Sequence, residues 1–366
     1  MALDKPISMV RLWGTSAQFI SASNKTKVIP ESLPLRQPER WIGHNLSRPE
    51  CVIAHQSGLL IVPNWTLSGG ISLISPTGDT HHIYSQYKDI LRPNGIALEN
   101  GGTILLAHMG ETDGGIYRLF SDGSIEAVAL TIEGQPMPPA NFVVKDSRER
   151  IWVTVSTRKT PRASDYRAAA NSGFIAVIEP DSSDARIVAD GLGYTNECVV
   201  DEQRGELWVN ETFGRRLTRF RLSGFDSTNV ALTHPEIINS FGAGTYPDGL
   251  ALDEEGQMWI TSIVSNRILC VSRSGSVSIM YEDSDAEHLK WTEQAFLENR
   301  LGREHLDNAK GKCMKNISNL AFGGPKRMSL YVGNLLGDSL PCFETDFCGA
   351  AMPHWSVPLG ELNGFI

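Results

Sequence analysis

The chain has 366 residues, 41% apolar and 20% charged, with 33 Lys and Arg against 42 Asp and Glu for a formal net charge of −9. That balance excludes the clustered cationic surface that phosphate backbones need, so no nucleic-acid partner is expected. No apolar run is long enough to cross a membrane.

The first segment, "MALDKPISMVRLWG", lacks the charged-then-apolar layout of a secretion signal, so a cytoplasmic, reducing location is expected. Cysteines 51, 198, 270, 313, 342 and 348 show no CxxC spacing and therefore no zinc signature. Cys342 and Cys348 are near enough in sequence to pair, but a reducing compartment favours free, buried thiols.

From residue 48 onward a unit recurs: "RPECVIAHQSGLLIV", "RPNGIALENGGTILLAH", "PANFVVKDSRERIWVTV", "YTNECVVDEQRGELWVN", "YPDGLALDEEGQMWITS" and "NISNLAFGGPKRMSLYVG". Each sets a polar residue before a short apolar run, then a polar turn, then a run with Trp, Tyr or Leu at its heart. The polar position falls at Glu50, Asn94, Asn141, Asn196, Asp248 and Ser318, at spacings of 44, 47, 55, 52 and 70 residues. Between these units lie hairpins such as "GGISLISPTGDTHHIY" and "NRILCVSRSGSVSIMY", turned at Thr77–Gly78–Asp79, Asp122–Gly123 and Ser274–Gly275. A period of about 40–50 residues with β patterning predicts an all-β fold, a six-bladed β-propeller of four-stranded blades forming one domain over 1–366. An early segment, "MVRLWG" or "ERWIG", is expected to add the outer strand that closes the ring. Residues 282–312 have helix-forming composition and predict a helical insertion before the last blade, with Trp291 and Phe296 as its own core or as pocket lining.

In such blades every innermost strand starts on one face, so its leading polar residue lies at the rim of the central channel. Asn and Asp at these places also cap turns in ordinary hairpins. Their shared register favours a ring of ligands. Two carboxylates and two amide oxygens, with no His or Cys, suit one hard divalent ion: Ca before Zn, Mn or Mg.

These segments, most specifically "PDGLALDEEGQMWI", resemble the senescence marker protein/gluconolactonase/luciferin-regenerating enzyme family of six-bladed propellers. The likeness runs from about residue 48 to about residue 334. The resemblance implies a divalent-metal hydrolase that opens lactones, a carboxylic ester hydrolase. It implies metal ligands Glu50, Asn141, Asn196 and Asp248, with Asp248 also the base, and Asn94, at the matching mouth of blade two, as a contact to the substrate or to the metal's ligands. Where regucalcin, a member, carries Arg and acidic sugar contacts around its third-blade Asn, this chain has Pro139 and Phe142, with Arg158 and Lys159 farther on. Specificity for a free aldonolactone is therefore not implied.

Further rim candidates are His108 at the end of a second-blade strand, Glu211 and Glu197 near the fourth-blade opening, with Glu197 expected to point outward, and His354 near the C-terminus. The long 157–172 loop carries Arg158, Lys159, Arg162 and Arg167, either as a solvated basic loop or as a lid for an anionic substrate. The expected partner is a small-molecule lactone or ester, and the expected state a monomer or homodimer. Alternatives are a phosphotriester hydrolase of the same fold and a non-catalytic calcium-binding propeller. A condensing enzyme like strictosidine synthase fits least, because a metal ring has no part in that chemistry.

Overall fold

The computed structural model describes residues 35–227 and 229–366. Six sheets follow one another along the chain; each has four antiparallel strands in sequence order, except that the last blade takes its outermost strand from residues 40–42 and blade 3 carries two further short strands at its edge. Their innermost strands are Ile53–Ala54, Pro93–Leu98, Phe142–Lys145, Thr195–Asp201, Tyr246–Leu252 and Ile317–Gly323. This is the six-bladed propeller that the repeat predicts. The ring closes through "ERWIG": Arg40–Ile42 pairs antiparallel with the outer strand Leu340–Glu344 of the last blade, Arg40 opposite Cys342. "MVRLWG" lies outside the described residues.

Burial falls from hub to rim as the pattern of apolar residues dictates. All seven residues of Thr195–Asp201 are buried, whereas the outermost strand of the same blade, Ala231–Ser240, has none buried. A recurrent contact fixes the turn between the first two strands of a blade. Asp146 accepts the Trp152 indole N–H at 2.9 Å, and Asp253 accepts that of Trp259 at 3.1 Å. Blade 4 has one more residue between its Asp201 and Trp208. There the indole nitrogen finds no acceptor, and the ring lies beneath Arg219 and Arg273 instead.

Blade 3 gains two short strands that the repeat did not announce. Thr131–Ile132 pairs parallel to the edge strand Asp184–Leu192 and antiparallel to Gln135–Pro136. Residues 282–312 hold the expected insertion, helices Ala286–Leu297 and Arg303–Asp307. Asp285 starts the first by accepting the backbone N–H groups of Glu287 and His288, a side-chain cap. Phe296 is buried against Phe213 and Tyr246, while Trp291 stacks on His305 and stays 46% exposed. Phe296 thus serves the insertion's seat on the blades. All six cysteines are free, including Cys342 and Cys348. Among the described residues, no helix is long and apolar enough to cross a membrane.

Candidate metal centre

A shared irregularity aims the rim residues. The pairing register slips between Pro93 and Ile96, Thr195 and Cys198, Pro247 and Leu250, and Ile317 and Asn319. Each slip spans a rim residue: Asn94, Asn196, Asp248 and Ser318. An extra residue in a strand bends it and re-aims a side chain, so the same bulge turns four blades' side chains at their mouths. Glycine follows the rim residue where neighbouring blades come closest. A Cβ at Gly95 would lie 2.6 Å from Phe142 Cα, and one at Gly249 2.5 Å from Asn319 Cα. Substituting either would push two blades apart.

All the rim residues are buried. Asn196 donates its side-chain N–H to Asp248 and, at 2.9 Å, to Thr212 Oγ1. Asn141 donates to Ser156 Oγ at 2.9 Å, and Asn94 donates to the Asn141 carbonyl at 3.0 Å. Glu50 is held on three sides. Its N–H donates to Arg48 O at 2.7 Å, its carbonyl accepts Ser318 Oγ–H at 3.0 Å, and its carboxylate pairs with Arg48 at 2.8 Å. Burial pushes the Asp248 carboxyl well above the usual carboxylate range, and the Glu50 charge pushes it further, against the pull of Arg48, Asn196 and Arg162. Glu50 and Asp248 thus feel one another across the hub.

Three acceptors here are buried without a hydrogen-bond donor: Glu50 Oε2, Asn141 Oδ1 and Asn94 Oδ1. Glu50 Oε2 has the Arg48 guanidinium beside it, but off the hydrogen-bonding direction. Buried acceptors normally find donors, and a hard cation completes such oxygens equally well. The donor set therefore fits a divalent ion, with one adjustment. Asn196 now presents its NH2 to Asp248, so its amide has to turn over to offer Oδ1. That turn would set two oxygens face to face, which is repulsive unless a cation lies between them. Among the described residues, no group of three or more His, Cys, Asp or Glu could hold a metal. The centre is a mixed set of two carboxylates and two amides.

The other sequence candidates have partners of their own. Glu211 is buried with both oxygens taken: Gly193 N–H at 2.5 Å, Thr218 Oγ–H at 2.5 Å, and Arg216. It locks the fourth blade and offers a substrate nothing. Arg158 makes two bonds to Asp190, at 2.7 and 3.0 Å, and lines a lateral cleft of about 480 Å3 together with His108. His108 Nδ1 accepts the Arg92 backbone N–H at 2.9 Å. Burial holds its imidazole below the ordinary value, although Asp113 pulls the other way. His354 lines an apolar channel of about 90 Å3 at the opposite ends of the inner strands, beside Leu98, Leu252 and Phe322. A cleft of about 760 Å3 opens at that same far end, but the carboxylates of Asp146 and Asp253 on its wall already serve turns.

Glu197 corrects the expectation that it points outward. It is buried, accepting Leu250 N–H at 3.0 Å, and burial together with the Asp248 charge raises its carboxyl well above the usual range. Two residues of the centre escaped the pattern of rim positions. Arg48 pairs with Glu50, and Arg162 reaches Ser156 Oγ at 3.0 Å, the atom that also holds Asn141. The signal for Arg48 was its place two residues before a rim position, in "RPE".

A model of the SMP-30/gluconolactonase/LRE-like region matches residues 49–284. Among curated relatives, the chain is 22% identical over 226 residues to strictosidine synthase-like 13 of Arabidopsis thaliana, covering 60% of this chain and 51% of that one. It is 23% identical over 212 residues to the lactonase drp35 of Staphylococcus saprophyticus, covering 56% of this chain and 62% of that one. The chain thus spans between half and two thirds of the length of these relatives. Among solved structures, the calcium-binding protein regucalcin of Agrobacterium tumefaciens superposes with a TM-score of 0.59 at 14% identity, covering 89% of this chain and 98% of that one. At that identity the likeness is one of fold.

Proposed function

The chain belongs to the SMP-30/gluconolactonase/LRE-like family, and from that premise we propose that it is a divalent-metal-dependent hydrolase that opens a lactone to a hydroxy acid. The observation that supports the proposal is that Glu50, Asn141, Asn196 and Asp248 are all buried at the mouths of four inner strands, with one oxygen each of Glu50 and Asn141 lacking a donor. The relative named as a lactonase and the neighbour named as calcium-binding support lactone chemistry and a hard ion.

These four side chains would hold the ion. When bound, it supplies Lewis acidity toward the lactone carbonyl. Asp248 takes a proton from the attacking water as the water oxygen bonds to the carbonyl carbon. The ring C–O bond then breaks, and the proton passes to the departing alkoxide, which gives one hydroxy acid per water consumed. Thr212 Oγ1, 2.9 Å from the Asn196 amide, can donate as well as accept, so once that amide has turned it would hold Oδ1 in place beside Asp248. Glu50, clamped through its own backbone, faces Asp248 from the first blade.

The test is a panel of lactones and phosphotriesters given to the chelated protein with Ca, Zn, Mn or Mg added back. Lactone opening that returns with one ion and is lost in Asp248→Asn supports the reading. A chain that opens no lactone with any ion, or that works equally well after chelation, overturns it. Turnover confined to phosphotriesters would assign the alternative reaction.

A further inference from the structure

We propose that the substrate is an anion, and that Arg48 and Arg162 receive its carboxylate at the rim of the metal centre. This rests on the hydrolase reading and names the substrate class for the same site. The 157–172 loop carries four cations, and the structure sorts them. Arg158 is committed to Asp190, while Lys159 and Arg167 both pair with Asp165, at 2.7 and 3.4 Å. Among the described residues, Arg162 pairs with no carboxylate. It turns inward to Ser156, its guanidinium lies 5.7 Å from the Tyr194 ring, and its Nε is buried without an acceptor.

From the opposite side comes Arg48, stacked 4.4 Å over the Trp65 ring, also with a buried Nε that lacks an acceptor. Its backbone is held at φ 51°, a left-handed conformation that a residue with a side chain seldom adopts. The Glu50 N–H bond to Arg48 O ties that turn to the metal centre. One Nη faces the Glu50 carboxylate at 2.8 Å, and stacking on Trp65 leaves the other N–H groups of the planar guanidinium for a second carboxylate.

Charge makes the case stronger. A divalent ion would cancel the two charges of Glu50 and Asp248. Arg48 and Arg162 would then remain as two half-buried guanidinium groups without a carboxylate to balance them. An anionic substrate supplies the missing charge. A neutral lactone does not. The inferred substrate is therefore a lactone or ester with a carboxylate beside the reacting ring, and its product a hydroxy dicarboxylate.

The experiment compares γ-butyrolactone with the γ-lactone of 2-hydroxyglutarate, the same ring with a carboxylate added. Both are offered to the metal-loaded wild type, Arg162→Gln, Arg162→Lys and Arg48→Lys. The wild type should prefer the charged lactone by roughly 10²-fold in kcat/KM, mostly through KM, from the charge-assisted hydrogen bonds it gains. Arg162→Gln should lose at least about tenfold of that preference, with partial recovery in Arg162→Lys. Equal rates on both lactones in the wild type, or a preference unchanged in Arg162→Gln, overturn the inference. If neither lactone opens, the wider lactone panel decides the hydrolase reading, and calorimetric titration with 2-hydroxyglutarate decides this one separately. Binding weakened at least about tenfold by Arg162→Gln upholds the anion site. Absent binding, or binding indifferent to that substitution, removes it.

Discussion

The side-chain nitrogen of Asn319 lies 2.8 Å from each carboxylate oxygen of Glu197, and its carbonyl oxygen accepts the Val52 N–H at 2.8 Å. With the Leu250 N–H on Glu197, this one amide ties blades 4, 5, 6 and 1 together beneath the candidate ion. Asn319→Leu keeps the volume and strands both a carboxylate and a backbone N–H in a buried place. A loss of about 2–4 kcal/mol is expected in urea unfolding. A loss below about 0.5 kcal/mol would mean that the amide bridge is ornamental.

The second prediction concerns the ion itself. A ligand that binds only the folded chain stabilises it by about 2.7 kcal/mol at a hundredfold excess over its Kd. Adding Ca to chelated protein should therefore raise Tm by several degrees. Asp248→Asn and Glu50→Gln each remove a carboxylate from the set, so both should abolish that rise. In Asp248→Asn activity should fall by at least about 10²-fold, the ordinary contribution of a positioned base. Differential scanning calorimetry with and without Ca reads the first effect independently of turnover.

The third is a pH effect at His108. The folded imidazole stays neutral below its ordinary value, because burial disfavours the charged ring and Nδ1 is already the acceptor for Arg92 N–H. The unfolded chain takes up that proton near about pH 6.5. Stability is therefore lost as pH falls from the unfolded pKa toward the depressed folded one. His108→Gln can still accept the Arg92 N–H but does not titrate. Between pH 7 and 5 its Tm should fall less steeply than that of the wild type. Parallel curves would show that His108 carries no such linkage.

What the sequence revealed and what it hid divide along a physical line. The rim positions were readable because a propeller repeats one local solution: a polar residue, a buried strand and a polar turn recur wherever a blade begins, the turn running from Asp to Trp in blades 3, 4 and 5. Asp146 with Trp152 and Asp253 with Trp259 realise it at the same offset, and the one-residue longer offset of Asp201 and Trp208 leaves that indole without its acceptor. Contacts made between blades left no such trace. Arg162 stood among four like charges on one loop, and only the placement of Asp190 and Asp165 shows which three are committed elsewhere. Glu197 takes the place that glycine holds in blades 2 and 5. Strand alternation alone therefore pointed it outward, and the bulge at Thr195–Cys198 turns it in. The edge pair Thr131–Ile132 and Gln135–Pro136 was hidden for a related reason: strands of two residues carry too little pattern to read.

The last prediction separates the two aromatic residues of the helical insertion. Phe296 is buried against Phe213 and Tyr246, with the Arg215 guanidinium 4.0 Å from its ring. Arg215 in turn pairs with Glu293, which also accepts the Tyr246 hydroxyl at 2.6 Å. The insertion is thereby seated on blades 4 and 5 by one aromatic plug and one charged clasp. Phe296→Ala empties the plug and should cost about 3–5 kcal/mol locally, the usual range for a buried Phe. The 286–307 helices should then exchange their amide hydrogens and be cleaved by protease well before the blades do, because a unit that loses its packing opens first. Trp291→Ala removes a half-exposed ring that touches mainly His288 and His305, and should leave both measures within about 0.5 kcal/mol of the wild type. Tyr246 sits two residues before Asp248, so loosening the insertion should also raise KM more than it lowers kcat. The opposite split would place Phe296 in the chemistry rather than in the seat.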